Sequence, residues 1–136
     1  MGYRSDLAVR IYGGKEDIEE FGLFYEQTFD KLSNEVQLDV LSLEEYSKQE
    51  TGKDVWHTNE KGETEFFFVA NSIKWYEGYP EVDFFEDMFN QPLWHVKDLN
   101  IEYIRIGEES NDIDEIYRGE NNEYRMSVHR IIDLGE

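Results

Sequence analysis

Residues 64–76, Thr-Glu-Phe-Phe-Phe-Val-Ala-Asn-Ser-Ile-Lys-Trp-Tyr, are apolar on both faces of an extended chain. Phe66, Phe68 and Ala70 alternate with Phe67, Val69, Ile73 and Trp75, and successive side chains of a strand point to opposite faces. A strand that is apolar on both sides must be covered on both, so this one is predicted to lie inside a sheet rather than at its edge. Just upstream, Val55-Trp56-His57-Thr58 and the turn Asn59-Glu60-Lys61-Gly62 supply the other arm of a hairpin.

Working outward, residues 3–11 alternate with Leu7, Val9 and Ile11 on one side and Arg4, Asp6, Ala8 and Arg10 on the other, the pattern of a half-buried strand. Gly13-Gly14 breaks it. From Lys15 to about Leu32, the residues Ile18, Phe21, Tyr25, Phe29 and Leu32 recur at steps of three and four, which predicts a helix. Glu16, Asp17, Glu19 and Glu20 fill its first turns, where carboxylates suit the positive end of the helix dipole. Residues 36–41 fit a short strand or an approach to a helix. Ser42 and Glu45 have the form of a capping box opening a short helix to about Glu50, ended by Gly52.

Pro80 suits a first helical turn, Val82, Phe85 and Phe89 continue that helix, and Pro92 stops it. A strand is expected over 98–106, an acidic loop over 108–123, and a last strand from Tyr124 to about Ile132. The order predicts a single α+β domain over residues 1–136. Its antiparallel sheet has four to five strands with two main helices on one face, the ferredoxin-like split βαβ arrangement with an appended C-terminal strand and a short extra helix.

The chain carries 32 Asp and Glu against 13 Lys and Arg, a net charge of −19 over 136 residues. Nine Phe, nine Tyr and three Trp argue for a folded core rather than a disordered acidic tail. Without cysteine, disulfides and thiolate metal sites are excluded. No apolar run follows Met1 and none reaches membrane length, so the expected setting is the cytoplasm, with no membrane partner. The charge also opposes direct contact with nucleic-acid backbones.

The charge is unevenly placed. The helix from Pro80 carries Glu81, Asp83, Glu86 and Asp87 with no base, and residues 108–123 carry seven acids against Arg118. The arginines sit on expected strands, at 4, 10, 105, 125 and 130. Such acids serve a solvated face in many proteins, but three unbalanced tracts also suit a basic partner, drawn in by electrostatic steering. A rigid carboxylate array can further imitate the phosphates of a duplex and occupy a basic groove. Glu81, Asp83, Glu86, Asp87, Asp112, Asp114 and Glu115 are the candidate partner contacts, each an acceptor for Lys or Arg.

No catalytic residues and no cofactor are expected. A calcium-binding loop through Asp112, Asp114 and Glu123 fails because Tyr117 stands where glycine is needed and Ile116 at a ligand position. An irregular divalent-ion site through Asp112, Asp114 and Glu115 is the alternative that carboxylate chemistry leaves open. His57, His95 and His129 form no ligand or catalytic pattern, and Gly13-Gly14-Lys15 matches no phosphate loop. A further alternative is RNA or single-stranded DNA on an open sheet face, using Arg4, Arg10, Tyr12, Arg105, Arg125 and His129. Cross-strand pairing of those arginines with Asp6, Glu102 and Asp133 is the structural explanation of the same residues.

Three stretches carry a resemblance. Met1-Gly2-Tyr3-Arg4-Ser5-Asp6 before an alternating strand, Ile73-Lys74-Trp75-Tyr76, and Glu102-Tyr103-Ile104-Arg105-Ile106-Gly107-Glu108 together resemble a group of small, acidic bacteriophage and prophage proteins. The resemblance implies a phage product acting in a host cell, by inhibiting a basic nucleic-acid-handling host protein of the kind that anti-CRISPR or anti-restriction factors block. It brings no catalytic residues with it.

Overall fold

The computed structural model describes residues 3–90, 99–109 and 111–118. In chain order its elements are β1 (Ser5–Gly13), α1 (Lys15–Asp30), α2 (Asn34–Thr51), β2 (Trp56–Thr58), β3 (Thr64–Ile73), α3 (Pro80–Asn90), β4 (Leu99–Ile106) and β5 (Ile113–Arg118). The five strands form one sheet in the order β2-β3-β1-β4-β5, and every neighbouring pair is antiparallel. β3 runs between β2 and β1, as its two apolar faces require. The fold is therefore α+β, with three helices against a five-stranded antiparallel sheet.

The strand residues Leu7, Val9, Ile11, Phe66, Phe68, Ala70, Leu99, Ile101 and Tyr103 share one buried cluster with Ile18, Phe21 and Tyr25 of α1, Val40 of α2, and Val82, Phe84, Phe85, Met88 and Phe89 of α3. Much of this core is aromatic. The Tyr25 ring meets Trp56, Phe66 and Phe84 at centroid distances of 5.6, 5.6 and 5.1 Å, and fully burying each such ring contributes on the order of 2 kcal/mol. The reverse of the sheet has its own smaller buried cluster of Ala8, Phe67, Val69 and Ile104.

Four sequence expectations are revised. The helix expected from Ser42 begins eight residues earlier, because Ser33 caps it: its Oγ accepts the Val36 N–H. Residues 36–41 are accordingly helical, and Leu38 and Leu41 are exposed on that helix. Gly52 closes it with φ of 75°, in the left-handed region. This helix also shields a sheet edge. β2 is so short that, among the described residues, β3 beyond Phe67 has no strand partner on that side. There Ser47 Oγ accepts the Val69 N–H at 2.9 Å and the Tyr46 hydroxyl donates to the Asn71 carbonyl at 2.6 Å, satisfying backbone groups that would otherwise be exposed as an edge.

The second revision concerns the end of β3. It stops at Ile73 rather than continuing to Tyr76. Its register with β1 slips, with Leu7 opposite Ala70 but Ser5 opposite Ile73, so β3 holds one extra residue at Asn71–Ser72. Ser72 sits at φ of 55°, held by its N–H to Asp6 Oδ1 (2.7 Å) and its carbonyl to Arg4 Nη1 (2.8 Å). The bulge reverses the alternation. Ile73 and Trp75 pack with Phe66 and Phe68, not with Phe67 and Val69 as simple alternation predicts.

Third, the acidic stretch 108–123 is not all loop: residues 113–118 form β5, hairpinned onto β4 with Arg105 opposite Asp114 and Ile104 opposite Glu115. The fifth strand of the sheet is this one. Fourth, the helix expected as a short extra one is a full-length element of 18 residues, α2. The expected stop at Pro92 and strand over 124–132 lie outside the described residues.

Candidate functional site

Three pieces of chain converge at one side of the helical layer. α3 presents Asp83, Glu86 and Asp87 at spacings that place them on one face. The chain leaving β3 brings Trp75, Tyr76 and Glu77, and the β4–β5 hairpin brings the cross-strand pair Arg105 and Asp114. Together with Val82 they line a cleft of about 740 Å³, the size of a ligand or side-chain pocket.

Its floor is anchored by Glu86. One carboxylate oxygen accepts the Trp75 indole N–H at 2.6 Å and the Tyr103 hydroxyl at 3.0 Å. Burial, with the Glu86 charge beside it, pushes the Tyr103 phenol well above its ordinary range, so it stays a donor. Both of these donors are neutral.

The wall is built around Arg105. Its Nε donates to Asp114 Oδ2 at 2.9 Å, Nη2 to Asp112 Oδ1 at 2.7 Å and Nη1 to Ser5 Oγ at 3.0 Å, and Nη2 also stands 2.7 Å from Asp114 Oδ2 as an ion pair. Burial alone lowers a guanidinium pKa; here the bonds from Asp112 and Asp114 outweigh it and the group is raised. Arg105 is thus a fixed, neutralised cation. Asp112 is steadied in turn by the Tyr3 hydroxyl at 2.5 Å, and Tyr3 accepts the Glu109 N–H at 3.1 Å. The bonds from Arg105 and then Tyr3 hold the Asp112 carboxyl below the usual carboxylate range. Gly107 permits this approach: a Cβ there would run into the Asp112 carboxylate and the Tyr3 hydroxyl.

Of the residues expected to contact a partner, Asp83, Glu86, Asp87 and Asp114 meet in the cleft. Asp83 also accepts the Gly78 N–H at 3.0 Å, which fixes the turn into α3. Glu81 lies in the first turn of α3, away from the lining. Asp112 stands behind Arg105, and strand alternation puts Glu115 on the other side of β5 from Asp114. Trp75, Tyr76, Glu77, Val82 and Arg105 were not among the expected contacts. Trp75 in particular reaches the cleft only through the bulge at Ser72.

The geometry also bears on the rival chemistries. Among the described residues no group of three acidic or histidine side chains is disposed to hold a metal ion; Asp112 and Asp114 bracket a guanidinium instead. Of the arginines considered for a nucleic-acid face, Arg10 is paired to Glu65 at 2.8 Å, Arg4 donates to the Ser72 carbonyl, and Arg105 lines the helical side. Arg125 and His129 lie outside the described residues. Ala8, Val69 and Ile104 are fully buried, so the reverse of the sheet presents no open platform at those positions. No helix among the described residues is long and apolar enough to cross a membrane. Comparison with protein-family models, with curated proteins and with solved structures returns no significant match.

Proposed function

We propose that this chain is a protein-interaction module that binds a basic partner through the cleft between α3 and the β4–β5 hairpin, acting without catalysis or a cofactor. The observation that carries it is the charge of the lining. Glu77, Asp83, Glu86, Asp87 and Asp114 face one cleft, and Arg105, the one cation among its described lining residues, is paired with Asp112 and Asp114. Carboxylates gathered in a concave site focus their field and favour a cation that arrives from outside. The net charge of −19 extends that attraction and speeds encounter with a basic surface.

The class of partner follows from the same charge together with the phage resemblance of the Met1–Asp6 segment. It is a basic, nucleic-acid-handling host protein, encountered in the host cytoplasm, whose activity the chain inhibits as anti-CRISPR or anti-restriction factors do. Duplex mimicry is its narrower form. In the same reading the fold is a ferredoxin-like split βαβ arrangement with a fifth strand appended beside β4. The parallel run of β1 and β2 on either side of β3, and of β3 and β4 on either side of β1, supports that description.

The test uses the full chain as an immobilised bait, with captured basic proteins eluted by a salt gradient and re-measured pairwise. Asp83→Asn with Asp87→Asn should weaken an identified partner at least about tenfold, a change equal to 1.4 kcal/mol, with an unchanged melting transition. Affinity untouched by the double variant would overturn the site. Retention of labelled single-stranded RNA by the chain itself would replace the partner class.

A further inference from the structure

Resting on the basic-partner reading, we infer that the cleft selects arginine over lysine. The cleft is more than a group of acids. Tyr76 lines it, and the ring of Tyr79, which is 41% exposed, stands 5.2 Å from that of Tyr76 at an interplanar angle of 62°. The backbone turn that joins these two residues is fixed. The Tyr79 N–H donates to the Tyr76 carbonyl at 3.1 Å, Gly78 turns at φ of 99°, and Asp83 accepts the Gly78 N–H. The same carboxylate therefore faces the cleft and fixes the aromatic pair beside it.

A planar guanidinium can lie on an aromatic face while its edge donates to carboxylates; a lysine ammonium is a compact, strongly hydrated point charge that gains mainly the Coulomb part. Asp83 and Asp87, one helical turn apart, supply acceptors at the rim, and Tyr76 supplies the face. The molecule already contains one solution of this kind: Arg105 meets two carboxylates through Nε, Nη1 and Nη2 at the opposite wall. Lysine at such a position has no fork to share between them. The cavity volume exceeds that of one side chain, so the inserted arginine comes with its neighbours, as part of a basic segment of the partner.

The experiment titrates the full-length chain with N-acetyl-hexaarginine amide and, at the same ionic strength, N-acetyl-hexalysine amide, by calorimetry and by the NMR signal of the Trp75 indole N–H. The arginine peptide should bind about tenfold tighter, the span available to an arginine–aromatic contact in a partly desolvated site, and should shift the Trp75 signal. Tyr76→Leu with Tyr79→Ser should reduce that preference to within about twofold by weakening the arginine peptide more than the lysine peptide. Equal affinity of the two peptides for the native chain, or a preference that survives the tyrosine variant, overturns the inference and leaves the basic-partner reading standing. No binding of either peptide overturns both.

Discussion

Two arginines on neighbouring strands meet carboxylates on opposite faces of the same sheet, and their surroundings differ. On β1, Arg10 is paired with Glu65, whose side chain is 3% exposed, lies 4.9 Å over the Phe67 ring, and stands in register with the fully buried Glu102. On β4, Arg105 is paired with Asp112 and Asp114, whose side chains are 31% and 60% exposed. The first group is enclosed, and breaking an ion pair in such surroundings is expensive. The second stands at the wall of an open cleft with further acids facing it. Identical residue types therefore hold the fold together on one side of the sheet and leave a surplus of charge accessible on the other. Exposure, not composition, separates the structural site from the candidate binding site.

That contrast can be broken most directly at Glu65. Glu65→Gln removes the charge facing Arg10 with little change of shape, and should cost about 3 kcal/mol in a urea unfolding titration, as expected for a buried pair that loses one partner. A loss under about 1 kcal/mol would mean the buried face tolerates imbalance as well as the cleft does. Next comes Gly107→Ala. Its methyl group meets the side chains of Asp112 and Tyr3, so these must move apart, at about 2 kcal/mol in the same measurement, with loss of the Arg105 geometry and of partner affinity. An unchanged midpoint and affinity would show that the wall needs no such close approach.

The smallest effect concerns pH. The Asp112 carboxyl is depressed in the folded state, so its contribution is present above the ordinary carboxylate value of about 4 and is lost as pH falls through the lower folded value. Asp112→Asn should accordingly melt earlier than the native chain at pH 7, and the two melting curves should converge as the pH is lowered toward 3. A gap that stays constant across that range would assign the effect to packing, not to charge.

Much of the fold was legible because its signals are periodic. Leu7, Val9 and Ile11 announce β1, the three-and-four spacing from Ile18 announces α1, and the doubly apolar run from Phe66 locates an interior strand. α2 was harder, since Leu38 and Leu41 lie on its exposed side and blur the apolar stripe, while Ser42 and Glu45 imitate a start that Ser33 actually provides. β5 was obscured by its acids: Ile113 and Ile116 are spaced by Asp114 and Glu115, a composition that favours a loop on local grounds and is drawn into a strand by pairing with β4. At the site, the acids of α3 were found because helical spacing is regular. Trp75 and Arg105 were not, because their placement depends on a bulge and a hairpin whose partners are distant in sequence.

The extra residue at Asn71–Ser72 has a consequence for how this surface can change over generations. Whether Trp75 meets Glu86 is decided by odd or even counting along β3. Deleting one residue at the bulge would let the register with β1 run unbroken from Leu7–Ala70 to Ser5–Ile73 and keep Ile73 and Trp75 on the helix-facing side. Deleting Lys74 instead would turn the indole away from the floor of the cleft, so a one-codon loss spares that floor inside the bulge and removes it two residues later.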